Sequence, residues 1–446
     1  MLQTLSRISL PPLLVLAALT AYRFTSGALS PAAPDHIVAP RNEPAVILPQ
    51  YNEPRLCTDQ QLAEVLDRVK PPGAKPSDKN IGSANTNNMV HALRLWGKDA
   101  DFSDPMIPSG KVMLGYFLDD AVFQEWAGKE TPPLFFIGED GLQPRIFDDG
   151  GKFRTTSSYH PDDLLATLAE VGTPLDTPMH LRGSDAKVAD LLDDSMRRFY
   201  LDRLEFEWSA MSYVRYLYPL KQWRNKYGER MSVESLVKEL MEKAPEAGPC
   251  DGLHRLEAMV LLYRVDEAAQ AAGKKSILSK KDRGRMLGYM KRVSELLVSS
   301  QSPEGFWTRQ WSKGIPPAEL KAETATKVEE TKDANSEKKT AAKTKVAPAV
   351  KSAALHDKLL VTGHQLEWLA LAPEQVQPPR ENIVRAGQWI TRTLLEIDQK
   401  ELLETYGPYS HAARALCLWR SVEPMEAWKL GQGVRSQESG VRKTAD

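Results

Sequence analysis

The chain has 446 residues, 42% hydrophobic and 26% charged, which is enough apolar material for a large core and excludes disorder as its main state. Lysine and arginine number 58 against 59 aspartates and glutamates, so no net field recruits nucleic acid, and no nucleic-acid-binding module occurs. Cys57, Cys250 and Cys417 are too few and too scattered for a disulfide framework or a cysteine-based zinc site and read as ordinary half-buried thiols.

Residues 1–27 read as a targeting segment, with Arg7 as the positive flank, an apolar run from Leu10 to Tyr22, and small residues around Ser26 to Ala28. The expected location is therefore exported, secreted or periplasmic. Cleavage and retention as a membrane anchor over residues 8–22 both stay open, although the run is shorter than the ~20 apolar residues a spanning helix needs. The Pro-rich stretch 28–56 lacks helical periodicity and reads as a tether. The folded domain is expected over 57–430, followed by a disordered tail at 431–446. Within it, 316–354 is built from Lys, Ala, Glu and Thr without an aromatic residue, the composition of a disordered insertion.

Apolar residues recur at helical spacing through the domain, and alternating strands are almost absent, so the class is all-α. The stretch at about 105–156 is a Gly/Pro/aromatic-rich elaboration in which Leu134 to Ile137 could form a short strand. Amphipathic segments at 59–70, 186–203, 232–243, 282–300 and 381–397, with a weaker one at 118–128, predict outer helices with one charged face. A second set, shorter and richer in Ala, Leu and Trp, starts at His91, His160, Leu204, His254, His364 and His411 and predicts inner helices. These starts are 69, 44, 50, 110 and 47 residues apart, and the longest interval contains the insertion. Alternation with a period near 50 is the signature of stacked helix pairs, here an (α/α)5-6 toroid.

The segment Arg292 to Trp307, with Gln301, Gly305 and Trp307, resembles the QW repeat of the squalene–hopene (terpenoid) cyclase and protein prenyltransferase superfamily. Arg385, Ala386, Trp389 and Ile390 resemble the start of a second copy in which Leu394 stands where the glutamine would be. The resemblance covers mainly residues 250–420 and implies an α/α toroid, with the glutamine tying off an outer helix and the tryptophan packing near the turn. It does not bring the chemistry. The cyclase Asp-x-Asp-Asp motif is missing, since Asp190, Asp193 and Asp194 have the wrong spacing and Asp119–Asp120 lacks the first carboxylate. Cys250–Asp251 with His411 resembles the prenyltransferase Asp, Cys and His zinc set only loosely. The Cys-x-Glu-Gln of thioester domains is absent too.

Five of the eight histidines occupy one position of the inner repeat, and residues three apart share a helix face. If the inner helices all start on one side, their first turns gather His91, Arg94, His160, Asp163, Glu207, His254, Glu257, His364, Glu367, His411 and Arg414. Imidazole beside carboxylate shuttles protons near neutral pH, and Arg94 and Arg414 are placed to clamp an anion. The expected function is binding of a small polar or anionic ligand such as a glycan, with hydrolase, lyase or epimerase activity open. No metal is assigned and no cofactor is identified. A non-catalytic envelope scaffold and a cyclase-like enzyme acting on isoprenoid lipid are the alternatives.

Overall fold

The computed structural model describes residues 41–72, 85–129, 131–146, 157–317, 348–398 and 406–432. The targeting segment, the bulk of the low-complexity insertion and the tail beyond 432 lie outside these residues.

Among the described residues the chain is mostly helical: α1 (Asp59–Arg68), α2 (Thr86–Trp96), α3 (Gly110–Leu118), α4 (Asp120–Ala127), α5 (Asp163–Glu170), α6 (Val188–Arg198), α7 (Phe206–Tyr216), α8 (Val233–Glu242), α9 (Leu253–Ala271), α10 (Lys280–Ser300), α11 (Pro348–Leu371), α12 (Arg380–Glu396) and α13 (Tyr406–Arg420). Side-chain caps set many of the starts. Thr58 and Gln61 form a reciprocal capping box at α1, Asn85 accepts from Asn88 N at α2, and Ser279 accepts from Asp282 N at α10.

The two expected helix classes are distinguished by burial. Helix α6 buries only a stripe that includes Val188, Leu191, Leu192 and Met196, whereas every residue of α7 is buried. The mostly buried kind packs in sequence, α5 on α7, α7 on α9, α9 on α11, α11 on α13, α13 on α2, and α2 back on α5. The amphipathic kind packs on these helices and on one another, with α1 on α12 and α13, α8 on α10, and α6 on α5.

Three antiparallel hairpins interrupt this helical body. β1 (Phe135–Ile137) pairs with β2 (Leu142–Pro144) in the elaborated region, Phe135 opposite Pro144. β3 (Pro178–Leu181) with β4 (Ser184–Lys187), and β5 (Gln222–Arg224) with β6 (Arg230–Ser232), lead directly into α6 and α8 and were not expected. Each strand is three or four residues long, too short for alternation to register in sequence. The expected outer segment at 186–203 accordingly loses its first residues to β4 and ends at Arg198. The weaker one at 118–128 divides at Asp119, which leaves the helical region at φ −143° and caps α4.

The Pro-rich stretch is not a free tether where it is described. Residues 44–53 run extended over the C-terminal ends of the buried helices, with Ala45 N donating to Arg215 O (2.9 Å) and Glu53 N to Trp419 O (2.8 Å), before a 3-10 turn at Pro54–Leu56. Tyr51 Oη donates to Ala372 O (2.6 Å), so these contacts satisfy carbonyls that helix ends leave unpaired. Close to this segment, whose Glu53 lies 3.8 Å from Arg380 at the start of α12, Gln301 donates to Gly305 O and Asn382 O, both at 2.8 Å, and accepts from Asn382 Nδ2 at 2.8 Å. Trp307, fully buried, donates from Nε1 to Leu297 O (2.8 Å). This knot ties the end of α10 to the start of α12.

Candidate functional site

The N-terminal ends of α5, α7 and α9 share an entry. Each follows a residue in the left-handed region: Asp162 (φ 61°), Glu205 (φ 58°) and Gly252 (φ 80°). The chain turns sharply there. His160 and Leu204 therefore precede their helices instead of starting them, and Leu204 is exposed.

The other histidines also depart from a common first turn. His254 is the second residue of α9, but His91 and His411 lie in the second turns of α2 and α13, and His364 lies deep within α11. Helix α11 begins upstream at Pro348, in sequence expected to be insertion, so His364 lies far from the N-terminal end of its helix and from the field of that end.

The rings nevertheless meet side by side. Centroid distances are 5.7 Å from His160 to Trp208, 4.2 Å from Trp208 to His254, 4.8 Å from His254 to His364, 3.7 Å from His364 to His411, and 4.7 Å from His411 to His91. Gly363 makes the closest of these approaches possible. A Cβ there would sit 2.8 Å from Ala412 N, so any side chain would push α11 off α13. Above the rings is a cavity of about 400 Å³. Its lining includes Asn85, Asn87, Asn88, Tyr159, Asp163 and Cys250 besides His91, His160, His254 and His411. Asp163 accepts from Ser158 Oγ (2.5 Å), and burial raises its pKa. His160 Nδ1 lies 2.7 Å from Glu205 Oε2, and that bond outweighs burial to raise the imidazole's pKa.

Beneath the row is a buried ion network. Arg94 donates to Glu170 (2.8 Å) and Glu257 (3.2 Å), and Arg414 to Glu367 (2.8 Å) and Glu170. With Arg215, buried and bonded through Nη1 to Ala45 O, three arginines face three glutamates. Burial opposes ionisation of Glu367 and Glu257, but His411 with Arg414 at Glu367, and Arg94 at Glu257, outweigh it and hold both carboxyls below their ordinary range. Arg94 and Arg414 are thus engaged by carboxylates and do not line the cavity, and the expected anion clamp is not formed. Glu207 stands apart as well, paired with Arg255 at 3.2 Å.

Glu367 Oε2 accepts from two imidazoles, His411 Nδ1 at 2.8 Å and His364 Nδ1 at 3.1 Å. Because an ionised carboxylate only accepts, both rings carry a proton on Nδ1 and turn Nε2 to other neighbours. His364 Nε2 and His254 Nδ1 are buried and make no hydrogen bond of ordinary geometry. Cys250, His254 and His364 present donor atoms within 4.8 Å of one another, as do His364, Glu367 and His411. Those are the donor types of a zinc site, three of the four such a site uses. In the second group, the Glu367 oxygens are already occupied by Arg414, His364 and His411.

Cys250 is the residue that composition concealed. It occupies a left-handed position (φ 48°), as does Asp251 (φ 55°), and Gly252 continues the turn at φ 80°. A Cβ on Gly252 would lie 1.8 Å from Pro245 O, so only glycine closes this loop. Burial opposes ionisation of the Cys250 thiol, but His254 and His364 outweigh it and hold the pKa well below the ordinary thiol value. In return, against the opposing effect of burial, Cys250 and Glu367 raise His364 to about 9. Cys57 and Cys417 are buried free thiols, both pushed up by desolvation. Trp208, Glu170 and Glu205 were also missed. Only Glu170 left a signal, standing seven residues after Asp163 on the same face of α5.

No helix among the described residues is long and apolar enough to cross a membrane. Compared with protein-family models, curated proteins and solved structures, the chain matches none.

Proposed function

We propose that the chain is an exported (α/α)6 toroid whose inner helices present an axial site for a small, neutral polar ligand, with imidazoles positioned to move protons on it. The ring reading draws on the closed succession of packing from α2 through α5, α7, α9, α11 and α13. The Gln301 and Trp307 bonds at the α10–α12 corner support kinship in architecture with the cyclase and prenyltransferase toroids. Export rests on the apolar run after Arg7.

The observation that carries the site is the row of imidazoles with Trp208 beneath the 400 Å³ cavity. The amides of Asn85, Asn87 and Asn88 and the imidazoles in its lining favour a polar guest over an isoprenoid chain. Balanced charge below the row favours a neutral guest such as a sugar or polyol over an anion, since no arginine is left uncompensated.

A thermal-shift panel of neutral sugars, polyols and small amides against their acidic counterparts tests this. The expected result is that neutral compounds raise the melting temperature, and that Asn87→Ala with Tyr159→Ala at the mouth weakens binding at least ~10-fold with helicity retained. Stabilisation by acidic compounds alone, or binding unaffected by both changes, would sink the reading.

A further inference from the structure

Cys250 is half-buried at the cavity floor, at the head of the 19-residue helix α9, in a turn of consecutive left-handed residues. Non-glycine residues reach that conformation at a cost of about 1–3 kcal/mol each, and such outliers gather at functional sites. Its thiol has His254 and His364 donor atoms within 4.8 Å, and each ring keeps one buried nitrogen without a hydrogen bond of ordinary geometry. His364 is in turn oriented by Glu367 Oε2 at 3.1 Å. Nucleophile, base and orienting carboxylate are the three parts of an activated-thiol system, whatever the fold that carries them. The other two cysteines have no such setting.

We propose that Cys250 is a catalytic nucleophile for acyl transfer, with His364 as its proton carrier and Glu367 as the residue that positions the imidazole. The inference rests on the cavity being the substrate site and adds the class of substrate, a small polar ester or amide.

The steps balance as an ordinary hydrolysis. The Cys250 sulfur attacks the carbonyl carbon and forms a C–S bond, and the carbonyl π electrons move to oxygen. When the tetrahedral adduct collapses, the bond to the alcohol or amine breaks, and the His364 imidazolium gives that leaving group its proton. Water, deprotonated by the now neutral His364, attacks the thioester, and the products are a carboxylic acid and the Cys250–His364 pair with its proton restored. The asymmetry of the two imidazoles on Glu367 fits this division. Burial keeps His411 neutral down to about 4, and it anchors the carboxylate, while His364 carries the mobile proton.

The test is acylation of the full chain by p-nitrophenyl acetate at pH 7, read as release of nitrophenolate and by mass mapping of the acylated peptide. The expected result is a burst approaching one equivalent on Cys250, abolished in Cys250→Ala and slowed roughly 100-fold in His364→Gln, as loss of the imidazolium that keeps the thiol ionised requires. Cys250→Ala removes only a sulfur, and its helicity and unfolding midpoint report whether folding survived. If the variant does not fold, wild-type mapping and the pH dependence of the labelling rate still decide the matter.

Acylation at Cys57 or Cys417 instead, or at Cys250 no faster than a free thiol at the same pH, would overturn the proposal. So would labelling blocked by a bound divalent metal and restored by a chelator. Stabilisation by neutral polar compounds without acylation defeats the nucleophile alone, whereas acylation without any such binding defeats the ligand reading and leaves the nucleophile standing.

Discussion

On the Cys250 side of the cavity floor, His364 is raised to about 9; on the Arg414 side, His411 is lowered to about 4, although their rings are 3.7 Å apart and both donate to Glu367. Both rings are fully buried, so desolvation cannot separate them. What differs is the company. His364 gains an acidic thiol as a second partner, while His411 sits beside His364 itself and near Arg94, two positive charges that oppose its own. Residue type and carboxylate partner are the same, yet the protonation states are opposite, so function at this floor is set by placement of the third group.

The strongest way to break the contrast is to remove what the two sides share. Glu367→Ala leaves Arg414 buried with one carboxylate instead of two and strips both imidazoles of their orienting partner. Loss of one member of a buried, hydrogen-bonded charge set costs about 3–5 kcal/mol. Urea unfolding should show a drop of that size, and a loss under about 1 kcal/mol would mean the network is not a folding element.

Acid should act next. The folded His411 binds its proton only near 4, whereas in the unfolded chain it does so near its ordinary 6.5. Between those values the unfolded state holds more protons, so stability is complete above about pH 6.5 and declines as pH falls toward 4, by roughly 3 kcal/mol. His411→Asn should flatten that slope. His364 alone has the opposite sign, its contribution full below its ordinary value and lost as pH rises through 9. Cys250, held low in the folded state, offsets it. From about pH 6.5 to 8.5 the pair carries one proton in total whether folded or unfolded, so stability stays level while the thiolate shows in ultraviolet absorbance. A steep slope across that range would mean Cys250 and His364 do not share a proton.

A smaller cost comes from separating the two sides. Gly363→Ala places a methyl against the Ala412 backbone, and overpacking of this kind costs typically 1–3 kcal/mol. The His411 imidazole resonance should shift with it; an unchanged midpoint and unchanged resonance would show that the α11–α13 approach is not close in solution.

How much of this could be read beforehand depends on length scale. The helical class is written in long periodic segments: the outer segment expected at 381–397 is α12, Arg380–Glu396, started cleanly after Pro378 and Pro379. The polar position shared by the histidines was visible as spacing. The reason for the convergence was not, because Leu204 and His160 lie outside their helices and α11 starts far upstream of His364. The hairpins left no trace in strands of three or four residues. Charge compensation depended on Glu170, contributed from the C-terminal end of α5, and the thiol's environment on consecutive left-handed residues that no local propensity announces.

The smallest effect should come from the mouth, and it discriminates between the two sides by touching only one. Arg309 bridges Asp251 (2.9 Å) and Asp357 (2.8 Å) over the Cys250 side, and it is about half exposed. Exposed ion pairs contribute about 0–1 kcal/mol, so Arg309→Ala should hardly alter unfolding. It does remove a cation near Cys250 and leaves Asp251, the next residue, uncompensated. Both changes disfavour the thiolate, so alkylation of Cys250 at pH 7 should slow, by less than about 10-fold for a single screened charge. The His411 titration should hardly move, since the main groups acting on it are Glu367, His364 and Arg94 and not Arg309. Faster alkylation would instead identify Arg309 as a physical barrier at the cavity entrance, and a stability loss above about 2 kcal/mol would make it part of the fold.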